Sequence, residues 1–355
     1  MRIIDKYISR TVLNATLVIF LVFLGLRIFV GIFGELGALG EGNYTIIAAL
    51  KYVMLTMPLS IYQLYPSITL LGVLAGLGIL ASSNELTVVR VSGVSILKIF
   101  WIVMKLMLVL TIIVTLMGEW IAPKLDDYAE KQKSLAEHSG VMGDDGQTGV
   151  WLHEGSSFIH IGKSLPGGHE LQDITRFLFD DNYQLVSASF AKRAKHTDGS
   201  WQFYDIRRTN FYADHVATAT VAQENWPLTF KPHLLVSAEP DQMTLDRLLQ
   251  QEKYSQSNGL DSTDYQLAFW MRVLQPLATL VMVFLAIPFI FGPLRSSTMG
   301  LRILSGVMVG LAFYIINRFF GPFSIVYQIP AIIAAVTPIL LFFIIGLLLI
   351  ISRRQ

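Results

Sequence analysis

Six long apolar stretches constrain this chain more than any other feature of its sequence. They lie at residues 12–34, 48–80, 96–121, 266–291, 301–320 and 330–351. Each reaches the roughly 20 residues that a helix needs to cross a hydrocarbon core of about 30 Å. Because backbone polar groups within lipid must be satisfied inside the segment, each stretch is predicted to form an α-helix. The sequence therefore predicts an α-helical membrane protein with six transmembrane helices.

The overall composition agrees with a membrane protein and excludes several classes of site. Hydrophobic residues make up 53% and charged residues 15% of the 355 residues, far from the shares of a soluble domain. The formal net charge of +1 gives no bulk attraction to nucleic acid, so no nucleic-acid partner is expected. The chain has no cysteine, which excludes disulfides, thiolate metal sites and cysteine nucleophiles.

Basic residues in the short loops predict the orientation, because such loops retain Lys and Arg on the cytoplasmic side. The loops 35–47 and 321–329 contain neither residue type. Both termini are therefore predicted to be cytoplasmic, and the long polar segment between spans three and four is predicted to be exported. The basic residues lie before span one, between spans two and three, between spans four and five, and after span six: Arg2, Lys6, Arg10, Arg90, Lys98, Arg295, Arg302, Arg353 and Arg354.

The exported segment has the pattern of an antiparallel β domain. Runs rich in aromatic and β-branched residues, such as FIHI, ITRFLF and YQLVSASF, alternate with turn sequences such as LPGGHE and TDGS. This spacing favours an antiparallel sandwich or an open roll. Residues 124–138 and 244–257 are predicted to form flanking helices. The predicted organisation is three spans in 1–122, the β domain with its flanking helices in 123–265, and three spans in 266–355.

The loop between spans two and three is a short polar and amphipathic interruption. Leu86, Val89 and Gly93 recur at helical steps, which predicts a short helix with an apolar stripe. Glu85 would lie in its first turn, and Arg90 is too far along the helix to pair with it. Both charges remain available to another protein, although a loop lying flat on lipid is an alternative.

Motifs for catalysis, nucleotides or metals are not found in the sequence. The tripeptide GKS at 162–164 resembles the end of a phosphate-binding loop, but Ser157 replaces the glycine that this motif requires. The histidines have no zinc-motif spacing. We therefore expect a non-catalytic chain with no metal and no cofactor of its own, so that an ATP-driven process would use a separate ATPase.

Arginine is costly inside a span unless it meets a cavity, a partner or the interface. Arg27 lies past the midplane of span one, where reaching either interface is difficult, and it is predicted to bind a lipid phosphate or an acidic partner residue. Arg318, near the outer end of span five, is a further candidate lipid contact.

Five segments resemble the YjgP/YjgQ-type permease family of lipopolysaccharide-export ABC transporters. They are DKYI at 5–8, LLGVLAGLGILASSNELTVVRVSG at 70–93, GEWIAP at 118–123, FIFGPLRSSTMGLR at 289–302 and FGPFSIVYQIP at 320–330. These segments cover nearly all spans in order, whereas the strand-rich insert matches mainly by position and pattern. The resemblance implies six transmembrane helices and an inserted periplasmic β-jellyroll.

The resemblance also implies partners, a cargo and a location. Such permeases pair with an LptF-like permease, bind an LptB-like ATPase dimer that uses ATP and Mg, and associate with an LptC-like bitopic protein. They take lipopolysaccharide from the bacterial inner membrane and pass it to a periplasmic LptA-like bridge. Residues 82–94 match the coupling helix that docks on the ATPase, which implies coupling roles for Glu85, Leu86, Val89, Arg90 and Gly93.

The lipid-contacting cations of that family are only partly matched. Where the family has lysines near the outer end of span one, this chain has Gly31 and Ala38, with Glu35 nearby. Beyond span three, one basic position is kept as Lys133, for which the resemblance implies lipid contact, while the other is Glu130. Arg27 lies about one turn deeper than Gly31 and is in a position to compensate.

Two other functions compete with lipid export. A membrane transducer coupled to an ATPase would move its exported β domain without carrying lipid, and it would need the same loop but no lipid-lined cavity. An independent secondary transporter would be expected to have inverted repeats and carboxylates near the midplane, and no pair of Asp or Glu residues lies within a span. The leading hypothesis remains a permease subunit of an ATP-driven lipopolysaccharide extractor.

Overall fold

The computed structural model describes residues 2–351, apart from 138–149, 165–169, 181, 183, 198–199, 213, 227–238, 259 and 292–297. The chain divides into two compact units. The helical unit comprises residues 1–140, 240–249 and 263–355. The β unit comprises residues 141–239 and 250–262.

The described residues contain nine α-helices. They are α1 (Arg2–Glu35), α2 (Ile46–Ser82), α3 (Glu85–Val91), α4 (Ile96–Trp120), α5 (Ala122–Glu137), α6 (Leu245–Ser257), α7 (Thr263–Phe291), α8 (Met299–Val326) and α9 (Ala331–Ile351). Six apolar helices, based on α1, α2, α4, α7, α8 and α9, are long enough to cross a membrane. The prediction of six transmembrane helices is therefore confirmed.

Helix α2 lies at the centre of the helical unit. It packs against α1, α4, α5, α7 and α8, and 78% of its most apolar window is buried. It remains one helix through Pro58 and Pro66. By contrast, 6% of the corresponding window of α1 and 17% of that of α8 are buried. The two helices therefore leave most of their apolar surface exposed.

Two glycines of α2 allow α1 to approach closely. A Cβ atom on Gly72 would lie 2.4 Å from the Oγ1 of Thr16, and one on Gly76 would lie 2.6 Å from the Cα of Val12. Gly306 of α8 also faces α2. Small residues with this spacing let helix backbones come together in lipid, and these glycines make such contacts within the chain.

Helix α5 follows α4 in the sequence but differs from it in composition. Seven of its 16 residues are charged, a composition that is costly within hydrocarbon. It packs on α2 and belongs to the helical unit, as do residues 240–249. The division between the two units therefore falls inside the predicted segment 123–265.

The β unit contains one antiparallel sheet of six described strands. Each strand pairs with the next one in the sequence, so the sheet is a meander. This result confirms an antiparallel β domain inserted between the third and fourth spans. The strands are β1 (Val150–Glu154), β2 (Ser157–Ser164), β3 (Glu170–Phe179), β4 (Leu185–Thr197), β5 (Ser200–Phe211) and β6 (Val216–Trp226).

The alternation of buried and exposed side chains is interrupted part-way along the strands of the sheet. In β3, Leu171 and Ile174 both belong to the core although they are three residues apart. Asp173 lies between them with a φ of +54°, and Asp205 has the same φ in β5. The strand pairings before and after these residues keep the same register, so the interruption crosses neighbouring strands without adding a residue to any of them. The buried residues before and after this point belong to one cluster.

Gly72→Ala is expected to destabilise the helical unit, because the added Cβ would also lie 2.7 Å from the Cα of Thr16, which cannot rotate away. Overpacking of this kind costs about 1–3 kcal/mol and should lower the Tm of the protein in detergent. The matched control is Gly25→Ala, whose Cβ would have no described atom within 4 Å. Equal Tm values for the two variants would contradict the close contact between α1 and α2.

Candidate functional site

The first candidate site is the loop between α2 and α4, which contains the loop helix α3. Glu85 lies in the first turn of α3 and Arg90 in its last turn, so each charge complements the helix dipole. The loop helix is bounded by two residues with positive φ, Asn84 at 61° and Gly93 at 88°. These left-handed residues separate α3 from the long helices on either side.

The apolar residues of the loop helix face in two directions. Leu86 is buried and Val89 packs against the same core of the helical unit. Val88 and Val91 are 65% and 85% exposed. The apolar stripe predicted from the sequence therefore anchors the loop helix. The two exposed valines were not predicted from the sequence, and they present an apolar surface.

A shallow groove lies where the loop helix ends and α4 begins. Its volume is about 610 Å³, and it is lined by Thr87, Arg90, Val91, Gly93, Val94, Ser95 and Ile96. Arg90 and Gly93, two of the predicted coupling residues, therefore border one concave surface. Such a surface suits a side chain or a short segment of another protein.

The beginning of α1 supports the loop helix. Tyr7 donates a hydrogen bond of 2.7 Å from its Oη to the Oε2 of Glu85. Nearby, the Nζ of Lys98 lies 3.9 Å from the Oδ1 of Asp5. The Tyr7 bond restricts the orientation of Glu85 and leaves its second carboxylate oxygen for another donor. Sequence reasoning missed Tyr7 because 78 positions separate it from Glu85.

The second group of candidate residues comprises the predicted lipid-binding cations, and Arg27 is the deepest of them. Its Nε donates a hydrogen bond of 2.8 Å to the Oγ of Ser60 on α2. A Cβ atom on Gly31 would lie 2.7 Å from the Nη1 of Arg27. The absence of a side chain at Gly31 therefore creates the space that the guanidinium group occupies.

Lys133 is paired with an acidic residue of α1. Its Nζ lies 2.8 Å from the Oε2 of Glu35 and 3.1 Å from Oε1. The same ammonium lies 4.7 Å from the ring centroid of Tyr52 and 5.9 Å from that of Tyr44. Glu35 and the two aromatic rings therefore surround the cation for which the family resemblance implies lipid contact.

Arg318 is the most exposed of the three cations. Its side chain is 70% exposed, and its Nη1 lies 3.5 Å from the Oδ2 of Asp241. A surface pair at this distance contributes little to stability. The structure thus places Arg27, Lys133 and Arg318 on three different helices and gives each a different partner.

A buried ion pair joins three elements of the helical unit. The Nε of Arg272 on α7 lies 2.8 Å from the Oε2 of Glu119 on α4. Arg272 also donates to the carbonyl oxygen of Gly118. The other carboxylate oxygen of Glu119 accepts a 2.8 Å hydrogen bond from the backbone N–H of Leu245. This pair fixes the start of α6 to the two membrane helices.

The described ranges of the chain contain no cluster of three or more His, Asp or Glu residues placed to hold a metal ion. His153, one of the histidines in neighbouring strands, is instead 2.9 Å from the carbonyl oxygen of Asn258 through its Nδ1.

The sequence of the chain matches one family across both units. The family described as lipopolysaccharide export system permease LptF/LptG matches residues 6–352. The chain belongs to this permease family. It is 32% identical over 356 residues to the lipopolysaccharide export system permease protein LptG of Escherichia coli strain K12, which covers 99% of this chain and 98% of the relative. The LptG protein of Haemophilus influenzae is also 32% identical over 356 residues, with 99% of both chains covered.

The family match confirms the resemblance inferred from five short segments, and it makes this chain an LptG-type permease. The match includes the β unit, which the short segments did not cover. The permease is therefore a multi-pass membrane protein with an inserted β domain. The roles of the individual site residues remain predictions.

Lys133→Met is expected to destabilise the permease, because Glu35, whose side chain is 12% exposed, would lose the ammonium that neutralises it. A largely buried charge left without its partner costs about 1–3 kcal/mol or more. The double variant Lys133→Met with Glu35→Gln should recover most of this loss, since neither charge remains. Thermal unfolding in detergent measures all three proteins. Strictly additive effects of the two substitutions would contradict the pairing.

Proposed function

We propose that this chain is a permease subunit of an ATP-driven transporter that extracts lipopolysaccharide from a bacterial inner membrane and passes it to a periplasmic LptA-like bridge. The observation that carries the proposal is the family match over residues 6–352, which includes the membrane helices and the β unit. The relatives with 32% identity are named lipopolysaccharide export system permease proteins.

The orientation in this proposal follows from the basic residues of the short loops. Both termini and the loop helix α3 lie in the cytoplasm, and the β unit lies in the periplasm. The polar helix α5 then lies at the periplasmic ends of α1 and α2. This arrangement presents the loop helix to a cytoplasmic motor and the β unit to periplasmic partners.

In this proposal the loop helix docks on an LptB-like ATPase dimer, which binds the ATP and Mg. The exposed Val88 and Val91 supply apolar contact area, and the groove beside Arg90 and Gly93 accepts a part of the ATPase. Glu85, positioned by Tyr7, offers a carboxylate to a basic residue. An apolar surface bordered by charges is typical of a protein interface.

Motion of the docked loop helix would reach the membrane helices through the core. Leu86 is 5% exposed and Val89 packs beside it, so both predicted coupling residues transmit force inward. The loop helix contacts α2, which in turn packs against α1 and α8. Closure of the ATPase dimer therefore displaces the two helices that have the most exposed apolar surface.

The exposed faces of α1 and α8 are proposed to meet an LptF-like permease and to line the shared lipid cavity, beside which the span of an LptC-like protein inserts. Extraction requires work, because each methylene group removed from lipid costs about 0.8 kcal/mol. Arg318, with its exposed guanidinium, is the best placed of the three cations to bind a lipid phosphate. Arg27 and Lys133 would first exchange Ser60 and Glu35 for the lipid.

A membrane transducer that carries no lipid is the second candidate function. It is favoured by the contacts of residues 240–249, which follow the β unit in the chain and are attached to the helical unit by Glu119, Asp127 and Arg318. Movement of the spans would then move this segment. The two functions differ in whether lipid contacts α1 and α8.

Glu85→Lys is expected to reduce co-purification of the LptB-like ATPase about tenfold or more, because it reverses a charge at the proposed interface. Glu41→Lys, which changes an exposed acid in the loop between α1 and α2, is the matched control. Quantitative immunoblotting of the purified complex measures both. Normal recovery of the ATPase together with normal ATP-dependent lipid release would refute the docking role of Glu85.

Arg318→Ala is expected to reduce lipopolysaccharide crosslinking several-fold from a photoreactive residue at position 315, which is exposed on α8. The guanidinium would no longer hold a lipid phosphate near this position. The control is Lys124→Ala, which removes an exposed cation of α5. If no lipid is crosslinked from either α1 or α8 in the unsubstituted protein during ATP hydrolysis, the transducer is the better description.

A further inference from the structure

Lys105 is an exposed cation on the apolar helix α4. Within the described residues, no group accepts a hydrogen bond from Lys105 and no acid forms an ion pair with it. By contrast, Arg27, Arg272 and Arg318 each contact a polar group of this chain. A cation in a membrane helix needs a counter-charge or contact with water. The described part of the chain supplies no counter-charge to Lys105.

Two further hydrogen-bond donors lie on the same face of α4. With 3.6 residues per turn, Lys98, Trp101 and Lys105 fall within about 60° around the helix axis. The buried residues Ile99 and Val103 lie on the opposite side. Trp101 is exposed, and its indole N–H donates to no residue in the described part of the chain. The three donors therefore form one outward-facing row.

The row of donors occupies the first three turns of α4, and the same face is apolar beyond it. Lys105 lies about 10 Å further along the helix than Lys98. Its long side chain leans toward the helix N-terminus, which brings the ammonium back toward the level of the other donors. Leu108, Ile112 and Leu116 continue the face and are exposed. A ligand that fits this face has an anionic group at one end and a long apolar part at the other.

One acid of α1 lies beside the row. The Nζ of Lys98 is 3.9 Å from the Oδ1 of Asp5, which is longer than a hydrogen bond, and this oxygen is buried without a hydrogen-bond partner. Within the described residues, no ion pair joins Asp5 to Lys105. Two lysines and one aspartate leave a net positive charge, which favours a ligand with a net negative headgroup over a zwitterion.

We propose that this face of α4 binds an anionic glycerophospholipid in the cytoplasmic leaflet. Lys105 and Lys98 neutralise the phosphate, the indole of Trp101 donates to an oxygen of the headgroup region, and the acyl chains lie along Leu108 and Ile112. Basic and aromatic residues at the membrane surface are typical of headgroup sites. The choice of leaflet rests on the orientation in the proposed function, whereas the class of lipid does not.

The bound lipid would lie at the base of α4, next to the loop helix. Lys98 is in the first turn of α4, where its backbone N–H donates to the Oγ of Ser95. Gly93 separates this turn from the loop helix. A phosphate held by Lys98 and Lys105 would keep the start of α4 at the level of the headgroups. It would thereby fix the height of the loop helix relative to the membrane surface.

The test measures lipid binding to the purified full-length protein in detergent by native mass spectrometry. Dioleoylphosphatidylglycerol is the anionic probe and dioleoylphosphatidylcholine is the zwitterionic probe. Lys105→Met is expected to raise the apparent Kd for phosphatidylglycerol about fivefold, which is the effect of one lysine near an anionic surface. The Kd for phosphatidylcholine should not change. Lys124→Met, which removes an exposed cation of α5, is the matched control and should bind both lipids normally.

A second variant separates lipid binding from folding. Lys105→Arg keeps the charge and should keep the affinity for phosphatidylglycerol. Without added lipid, Lys105→Met should have the Tm of the unsubstituted protein, because it loses no contact with a described residue. An unchanged Kd in Lys105→Met, or an equal increase in Lys124→Met, would overturn the site. Lipopolysaccharide that bound as tightly as phosphatidylglycerol, and with the same dependence on Lys105, would overturn the class of lipid.

A third variant tests the participation of Lys98. Asp5→Asn removes the acid that competes for its ammonium, so the Kd for phosphatidylglycerol should fall. An unchanged Kd would overturn the assignment of Lys98 to the site.

Photocrosslinking in the whole complex identifies the occupant of this face in the membrane. A photoreactive residue at position 108, which is exposed on α4, should crosslink to phospholipid. Crosslinking to a protein instead would overturn the lipid site in favour of a helix of a partner. None of these measurements uses ATP hydrolysis or lipid release, so their outcome and that of the proposed function are independent.

Discussion

The close packing of other helices around α2 is the constraint on which the rest of the helical unit depends. Helices in lipid gain little free energy of association from apolar contact alone, since the acyl chains of the lipid are equally apolar. Gly72 and Gly76 allow α1 to pack closely, because their backbones carry no side chain and lie against Thr16 and Val12. Every other membrane helix except α9 also packs on α2. A displacement of α2 would therefore reach nearly all of the spans.

Several ionisable groups near the ends of the spans have an internal partner. Arg272 and Glu119 join α7 to α4, and Lys133 joins α5 to Glu35 of α1. These pairs restrain the parts of the helices that glycine contacts do not reach. A cation read from the sequence carries no information about the acid that folding brings beside it, so the pairing of Lys133 with Glu35 was not predictable from charge patterns.

The spans, the loop helix and the antiparallel β domain were predictable because each produces a local pattern in the sequence. The hydrophobic length of a span and the alternation of a strand need no knowledge of distant residues. Contacts such as Tyr7 with Glu85, or Lys133 with Glu35, join residues 78 and 98 positions apart, and no local pattern encodes them. The phase change at Asp173 was missed for another reason, since strand periodicity assumes an uninterrupted alternation.

The loop helix and the region around Arg27 are both connected to α2. In the proposed transporter, the buried Leu86 would transmit force from the loop helix to the core, while the exposed Val88 and Val91 would meet the ATPase. Docking and transmission would then use different faces of one short helix. At the other end of the spans, Arg27 is attached to α2 through Ser60. Displacement of α2 would consequently move the hydroxyl to which Arg27 donates. In the proposed transporter, a cytoplasmic event at the loop helix would therefore reach Arg27 through one central helix.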